Sequence, residues 1–353
     1  MFSMRPTLFI ILPFLLWQQP PARLPNAGAP PIHDRLYSIA YKYAPFIYHA
    51  TEEEGGRQDV ISNIDFDGDL IGNNNWENFE LYELKPTVYY AVLETWTHFF
   101  ISYHLFHPRD WNNFTLYLHD THENDGENLQ VVVRKSDGMV VLLWTQAHYA
   151  SDVYVNSYSF ISSADFDITG EFQTVDSAGV PRPAGNHAAV FVEAYGHGIY
   201  STLDSESEVG FQTDTLYSFE DGSGLLFRPA RPGEEIREPA SYAKGEVPYQ
   251  LESITARLWP ILRAGELTGD GRLLDGIWRY RDDLVDAPVP RFYDANRFSG
   301  PFGSDRGISP FALDLYWGNG TLGALFFNPA SRYQEQLTIE HEWSTEYVGY
   351  PFK

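Results

Sequence analysis

The sequence predicts a mainly β fold, an antiparallel β-sandwich with long loops, and three observations carry that expectation. Aromatic residues make up 16% of the 353 positions, and broad rings suit a pleated sheet. Runs such as Val88–His107, Leu129–Arg134 and Met139–Trp144 are dense in β-branched and aromatic side chains. Glycines and prolines number 28 and 23, enough to punctuate many short strands and supply long connections.

Taken in order, Met1 to about Ala29 reads as a signal segment. Arg5 precedes the apolar stretch Leu8–Trp17, and Ala27-Gly28-Ala29 supplies small residues for cleavage. The stretch is too short to span a bilayer, and no later one is long and apolar enough. Gln18–Pro31 reads as linker, so the mature fold is expected from about Asp34. Ser38–His49 carries aromatics on both sides of Pro45, which suggests a strand entering at a sheet edge. Val88–His107 is apolar on both alternating faces, as in a sheet covered on both sides. A hairpin broken near Glu94–Thr97 is the alternative. Turn Ser136-Asp137-Gly138 separates the next two strands. Val190–Val192 and Gly210–Gln212 add more. Helical periodicity is confined to Ser253–Ala264 and Tyr333–Glu342. After Ser205 the chain turns Gly-, Pro- and acid-rich. Residues 34–205 are therefore taken as the sandwich core and 206–353 as a loop-rich C-terminal extension packed on it.

Composition bounds the chemistry. The formal charge is −24, from 24 basic and 48 acidic residues, a field that repels phosphate backbones and disfavours nucleic acid as partner. The absence of cysteine removes disulfides, thiolate metal sites and thiol nucleophiles. Of the 11 histidines, nine lie between His49 and His197, so any metal or acid–base centre is expected in the N-terminal half.

The segment His122-Glu123-Asn124-Asp125-Gly126-Glu127 leads into a valine strand. On a strand, Asp125 and Glu127 share a face, and two such carboxylates with a nearby imidazole suit a divalent cation. The bland reading is an acidic turn. His148 and His197 each follow a later strand and could reach the same sheet end, as ligand or acid–base group. The metal ligands expected are His122, Asp125, Glu127 and His197, and if the protein is an enzyme, His148 and His197 are the catalytic residues. A second cation site is expected at Asp65, Asp67 and Asp69, where alternating acids flank Gly68; the bland alternative is a turn whose side chains bond their own backbone. No nucleophile elbow, phosphate loop or dinucleotide fingerprint occurs.

Several segments stand in a suggestive order: Tyr43–Tyr48, Tyr103–Pro108, His122–Glu127, Gln146-Ala147-His148 and Ala189–Tyr200. Together they resemble the vacuolar protein sorting-associated protein 62 family and, more distantly, the necrosis- and ethylene-inducing peptide-like proteins. The second resemblance implies a secreted β-sandwich with a cation held by the histidine, aspartate and glutamate matched here by His122, Asp125 and Glu127. His197 matches the histidine of a later turn. Gly126 stands where the motif has tryptophan and Asn124 where it has glycine.

The expected function is that of an exported protein, secreted or periplasmic, which binds a divalent cation and recognises a glycan or lipid head group. Calcium leads as the ion, with magnesium, manganese or zinc as alternatives. A metal-dependent hydrolase and a structural calcium protein are the competing readings.

Overall fold

The computed structural model describes residues 35–52, 56–111, 121–147, 150–163, 168–203, 224–269, 271–274, 280–281, 292–293, 307–313 and 323–352. The signal segment, His148 and the strand expected at Gly210–Gln212 lie outside them. Seventeen strands are described. They are β1 (Phe46–His49), β2 (Thr87–Thr95), β3 (His98–Asp110), β4 (His122–Arg134), β5 (Met139–Ala147), β6 (Ala150–Val155), β7 (Ile161–Ser163), β8 (Gly170–Glu171) and β9 (Gln173–Val175), followed by β10 (His187–Val192), β11 (Ile199–Ser201), β12 (Gly224–Pro229), β13 (Lys244–Ser253), β14 (Tyr280–Arg281), β15 (Phe292–Tyr293), β16 (Leu337–Ile339) and β17 (Tyr347–Gly349).

The fold is mainly β, but the antiparallel sandwich is corrected to one large mixed sheet. Its order is β11-β10-β1-β12-β13-β2-β3-β4-β5-β6-β8, with β9 on β10 and β17 on β2. Pairs β1–β10, β12–β13, β13–β2 and β6–β8 are parallel. Strand direction is set by long crossovers, which local alternation does not encode. Strand β13 joins the two halves by changing partners: Lys244–Tyr249 runs beside β12, then Gln250–Ser253 beside β2. The sheet curls until β11 packs back on β5 and β4, so it is nearly closed. Strands from both halves of the chain thus share one sheet.

Local sequence explains most elements. The run 88–107 is the hairpin alternative, with β2 and β3 reversing at Trp96-Thr97 and pairing from Val88↔Leu105 to Glu94↔Phe99. Every residue of β2 is buried, as expected of a strand covered on both faces. Strand β1 is interior rather than at an edge, between β10 and β12. Pro45 stands just before it, where its missing N–H breaks no ladder bond; its carbonyl accepts from Tyr249 Oη at 2.8 Å. Helices are short: Arg35–Lys42, and a π turn at Ile254–Leu258 running into Trp259–Arg263. The helix expected at Tyr333–Glu342 occupies Pro329–Gln336 instead, because Leu337–Ile339 pairs with β7. One apolar cluster runs from Ala40 to Phe352, with Trp144, Tyr89 and Phe100 among its fully buried rings. No helix among the described residues is long and apolar enough to cross a membrane.

At the hairpin end, Glu94 binds Arg35 through two hydrogen bonds of 2.7 Å and Lys135 Nζ at 2.8 Å. Arg35's hydrogen bond holds its carboxyl below the ordinary range, against the cost of burial. A depressed folded pKa stabilises above the unfolded value and is lost as pH falls through the folded one. Glu94→Gln is expected to cost about 1–2 kcal/mol at pH 7. The difference from wild type should shrink as pH drops below the carboxylate range, measured by urea unfolding across pH.

Candidate metal centre

Three histidines from separate parts of the chain meet at one end of the sheet. His49 ends β1, His107 lies near the end of β3, and His197 sits in the turn between β10 and β11. All three are fully buried, and each offers a ligand atom within 4.8 Å of the others. His49 Nε2 stands 3.0 Å from His107 Nε2. His49 Nδ1 lies 2.6 Å from the Ala50 carbonyl. A carbonyl only accepts, so Nδ1 carries the proton and the Nε2 lone pair faces the centre. The rings of His107 and His197 stack with centroids 3.7 Å apart.

Carboxylates fix His197. Asp125 Oδ2 lies 2.6 Å from its Nδ1, and Asp59 Oδ1 3.3 Å from its Nε2. Asp59 also accepts the Glu52 N–H at 2.7 Å and the Tyr195 N–H at 3.1 Å, which locks this turn to the loop after β1. His197 and Tyr195 both have left-handed backbones, φ 56° and 67°. Non-glycine residues in that region cost free energy and persist where their surroundings over-determine them. Asn124, at φ 59° within β4, is held the same way, accepting from Asn75 Nδ2 at 2.5 Å and donating to the Gly72 carbonyl at 2.6 Å.

Electrostatics divides the three imidazoles. Burial pushes His49 down to about 4, although the Asp59 charge opposes it. Burial, then the neighbouring His197 and His49, pushes His107 well below its ordinary value. His197 is also buried, but the hydrogen bonds and charges of Asp125 and Asp59 outweigh that and raise it. His107 Nδ1 is buried with no hydrogen-bond partner among the described residues. Such an orphan is rare in folded proteins. Three imidazoles are nitrogen donors that suit zinc, copper or nickel, whereas calcium takes oxygens.

Of the residues singled out by sequence, Asp125 and His197 come together. His122 Nε2 approaches Asp125 Oδ1 at 3.9 Å and Asp110 Oδ2 at 3.7 Å. Glu127 is buried opposite Leu105, two positions along β4 from Asp125. The acidic hexapeptide is strand throughout, not a turn before one. The acids of 65–69 have partners within the protein. Arg257 and Asn63 hold Asp65, Asn78 and the Asp69 N–H hold Asp67, and the Ile71 N–H holds Asp69. The bonds from Asn63 and from the Asp69 and Ile71 N–H groups are local to the turn, and those from Arg257 and Asn78 come from elsewhere in the fold. His49, His107 and Asp59 were not singled out as site residues. Only register reveals them: His107 pairs with Asp125 across β3–β4, and β1 lies parallel to β10.

No family model matches the chain, and no curated protein matches it. Among solved structures it is similar to NLPPya in complex with mannosamine (17% identity, TM-score 0.31, 51% of this chain and 74% of that one). It is also similar to Necrosis and Ethylene inducing Protein 2 from the causal agent of cocoa's Witches Broom disease (16%, 0.29, 51% and 71%) and to the non-toxic HaNLP3 protein (12%, 0.27, 47% and 69%). None of these comparisons supports the vacuolar protein sorting resemblance.

A backbone contact underlies the centre. The Ile308 N–H donates to the Gly126 carbonyl at 2.8 Å, and a side chain at Gly307 would collide with Gly126 N and the Asn124 carbonyl. Gly307→Ala is expected to destabilise by about 1–3 kcal/mol, read as a fall in the midpoint of urea unfolding.

Proposed function

We propose that this is an exported divalent-metal-binding β protein whose ion is bound by His49, His107 and His197, with Asp125 on His197 Nδ1 leaving Nε2 as its ligand atom beside Asp59. One observation carries the reading, the convergence of three buried imidazoles on a single point. Carboxylate partners that fix the orientation of a ligating imidazole are the usual companions of such ions. Glu127 would add negative charge, and His122 hydrogen bonding, around the centre. The donor set favours zinc over calcium.

Full burial favours a structural ion over a catalytic one, because catalysis needs a coordination position open to water and substrate. Such an ion would pin β1, β3 and the β10–β11 turn together, coupling metal binding to folding.

A second reading concerns the surface. Trp96 and Phe160 are 62% and 61% exposed, and both line a cleft with Arg134, Asp137 and Glu342. Exposed rings beside polar groups would suit a sugar face or a lipid head group, the recognition role expected from the sequence.

The purified protein is expected to carry about one zinc per chain by elemental mass spectrometry. His107→Ala and Asp125→Ala should each weaken retention about tenfold or more. Chelation should lower the unfolding temperature of wild type and leave that of His107→Ala unmoved. Wild-type protein empty of metal after incubation with zinc, calcium and manganese would end the proposal.

A further inference from the structure

The other end of β3 holds a second facing pair of imidazoles. His98 begins the strand and His107 lies nine residues on, so the two pairs are about 30 Å apart. His98 Nε2 stands 3.1 Å from His341 Nε2. His98 Nδ1 lies 2.8 Å from Thr97 Oγ1, which also accepts the Ser344 N–H at 2.8 Å. The Trp343 ring packs against His98 with centroids 4.3 Å apart. The His98 ring is therefore fixed on three sides, with Nε2 directed at His341.

Unlike the buried centre, this pair reaches solvent. His98 is buried, but His341 lines a cleft of about 640 Å³ together with Asp137, Glu340 and Glu342. The glutamates are exposed, and they stand in the cleft lining beside Arg134, which pairs with Asp137, and Lys135. Phe160, at the rim, has a left-handed backbone at φ 56° and is 61% exposed. An exposed, strained aromatic contributes little to a core, and strain of this kind gathers at ligand sites. Burial pushes His98 down to about 3 and His341 below its ordinary value, so both present neutral imidazoles near pH 7. A single N–H shared between two such rings would account for the distance alone. The solvent-accessible cleft against His341, with Glu340 and Glu342 in its lining while Arg134 pairs with Asp137, points further.

We propose that His98 and His341 form a second, open metal site that takes a late first-row divalent ion such as zinc, copper(II) or nickel, distinct from the buried histidine centre. Two protein nitrogens leave the remaining positions to water and to small ligands entering the cleft. A closed ion would fix the fold at one end of the sheet, and an exchangeable one would sit at the other. This inference stands independently of the buried centre.

The test is a zinc titration of the full chain against a competing chromophoric chelator, with wild type, His341→Gln and His107→Ala compared. Glutamine at 341 can still hydrogen-bond to His98 but is a poor zinc ligand, so it separates a metal site from a mere ring–ring bond. Near-UV circular dichroism checks that each variant keeps its tertiary packing. Wild type should show an exchangeable class of zinc, weakened about tenfold or more in His341→Gln and retained in His107→Ala. Should His341→Gln fail the packing check, Cu(II) electron paramagnetic resonance on wild type decides, and nitrogen couplings from two imidazoles at an exchangeable ion are expected. Titration of His341→Gln indistinguishable from wild type, or no such couplings, would overturn the proposal. Loss of a class only in His107→Ala would overturn it while leaving the buried centre intact.

Discussion

The contact between Asp125 and His197 is the constraint around which the described structure is organised. In sheet order β10 and β4 are separated by β1, β12, β13, β2 and β3, yet the turn after β10 places an imidazole 2.6 Å from a β4 carboxylate. That bond exists only because the sheet curls back on itself. The dependence runs both ways. Asp125, Asp59 and His197 are all buried, and a buried charge without its partner costs several kcal/mol. An opened sheet would leave such charges stranded, so closure and site stand or fall together.

Strand β13 makes the curl possible. It pairs with β12 over its first part and with β2 over its last, so one strand belongs to both halves without a break in hydrogen bonding. Strands that change partners form the corners of curved sheets. The C-terminal half of the chain contributes more than this strand. Gly307 and Ile308 lie against the backbone at Gly126, where a side chain would collide, and Asn128 reaches the Ile308 and Ser309 carbonyls. Helix Pro329–Gln336 and strand β16 close over the other end beside His98 and Trp343.

The two histidine pairs show how one geometry takes different character from its surroundings. Both place Nε2 atoms about 3 Å apart. His49 and His107 sit in full burial beside Asp59 and His197, so that end is closed and highly ordered by hydrogen bonds. His98 is buried behind His341, which lines a cleft of mixed charge with the exposed rings of Trp96 and Phe160. Burial decides whether such a pair is part of the frame or open to exchange.

Much of this was legible in the sequence. Aromatic and β-branched runs fixed the existence of β2 to β5 and β10, because period-two burial is a local property. Asp125 and His197 were legible as ligand-type residues, since a carboxylate and an imidazole beside buried strands demand partners. Other features were not legible. His49 and His107 stand at strand ends like many structural histidines, and nothing local marks them as neighbours. Only the parallel register of β1 on β10, and the antiparallel register that sets His107 opposite Asp125, bring them together. The acids of 65–69 have a cation-loop spacing, and tertiary packing places Arg257 and Asn78 against Asp65 and Asp67. Sequence alone determined which strands form and which residue types are available for chemistry, because propensity and side-chain alternation act over a few residues. Strand direction, sheet closure and the identity of the convergent histidines were decided by tertiary structure, because they depend on pairings between residues far apart in the chain.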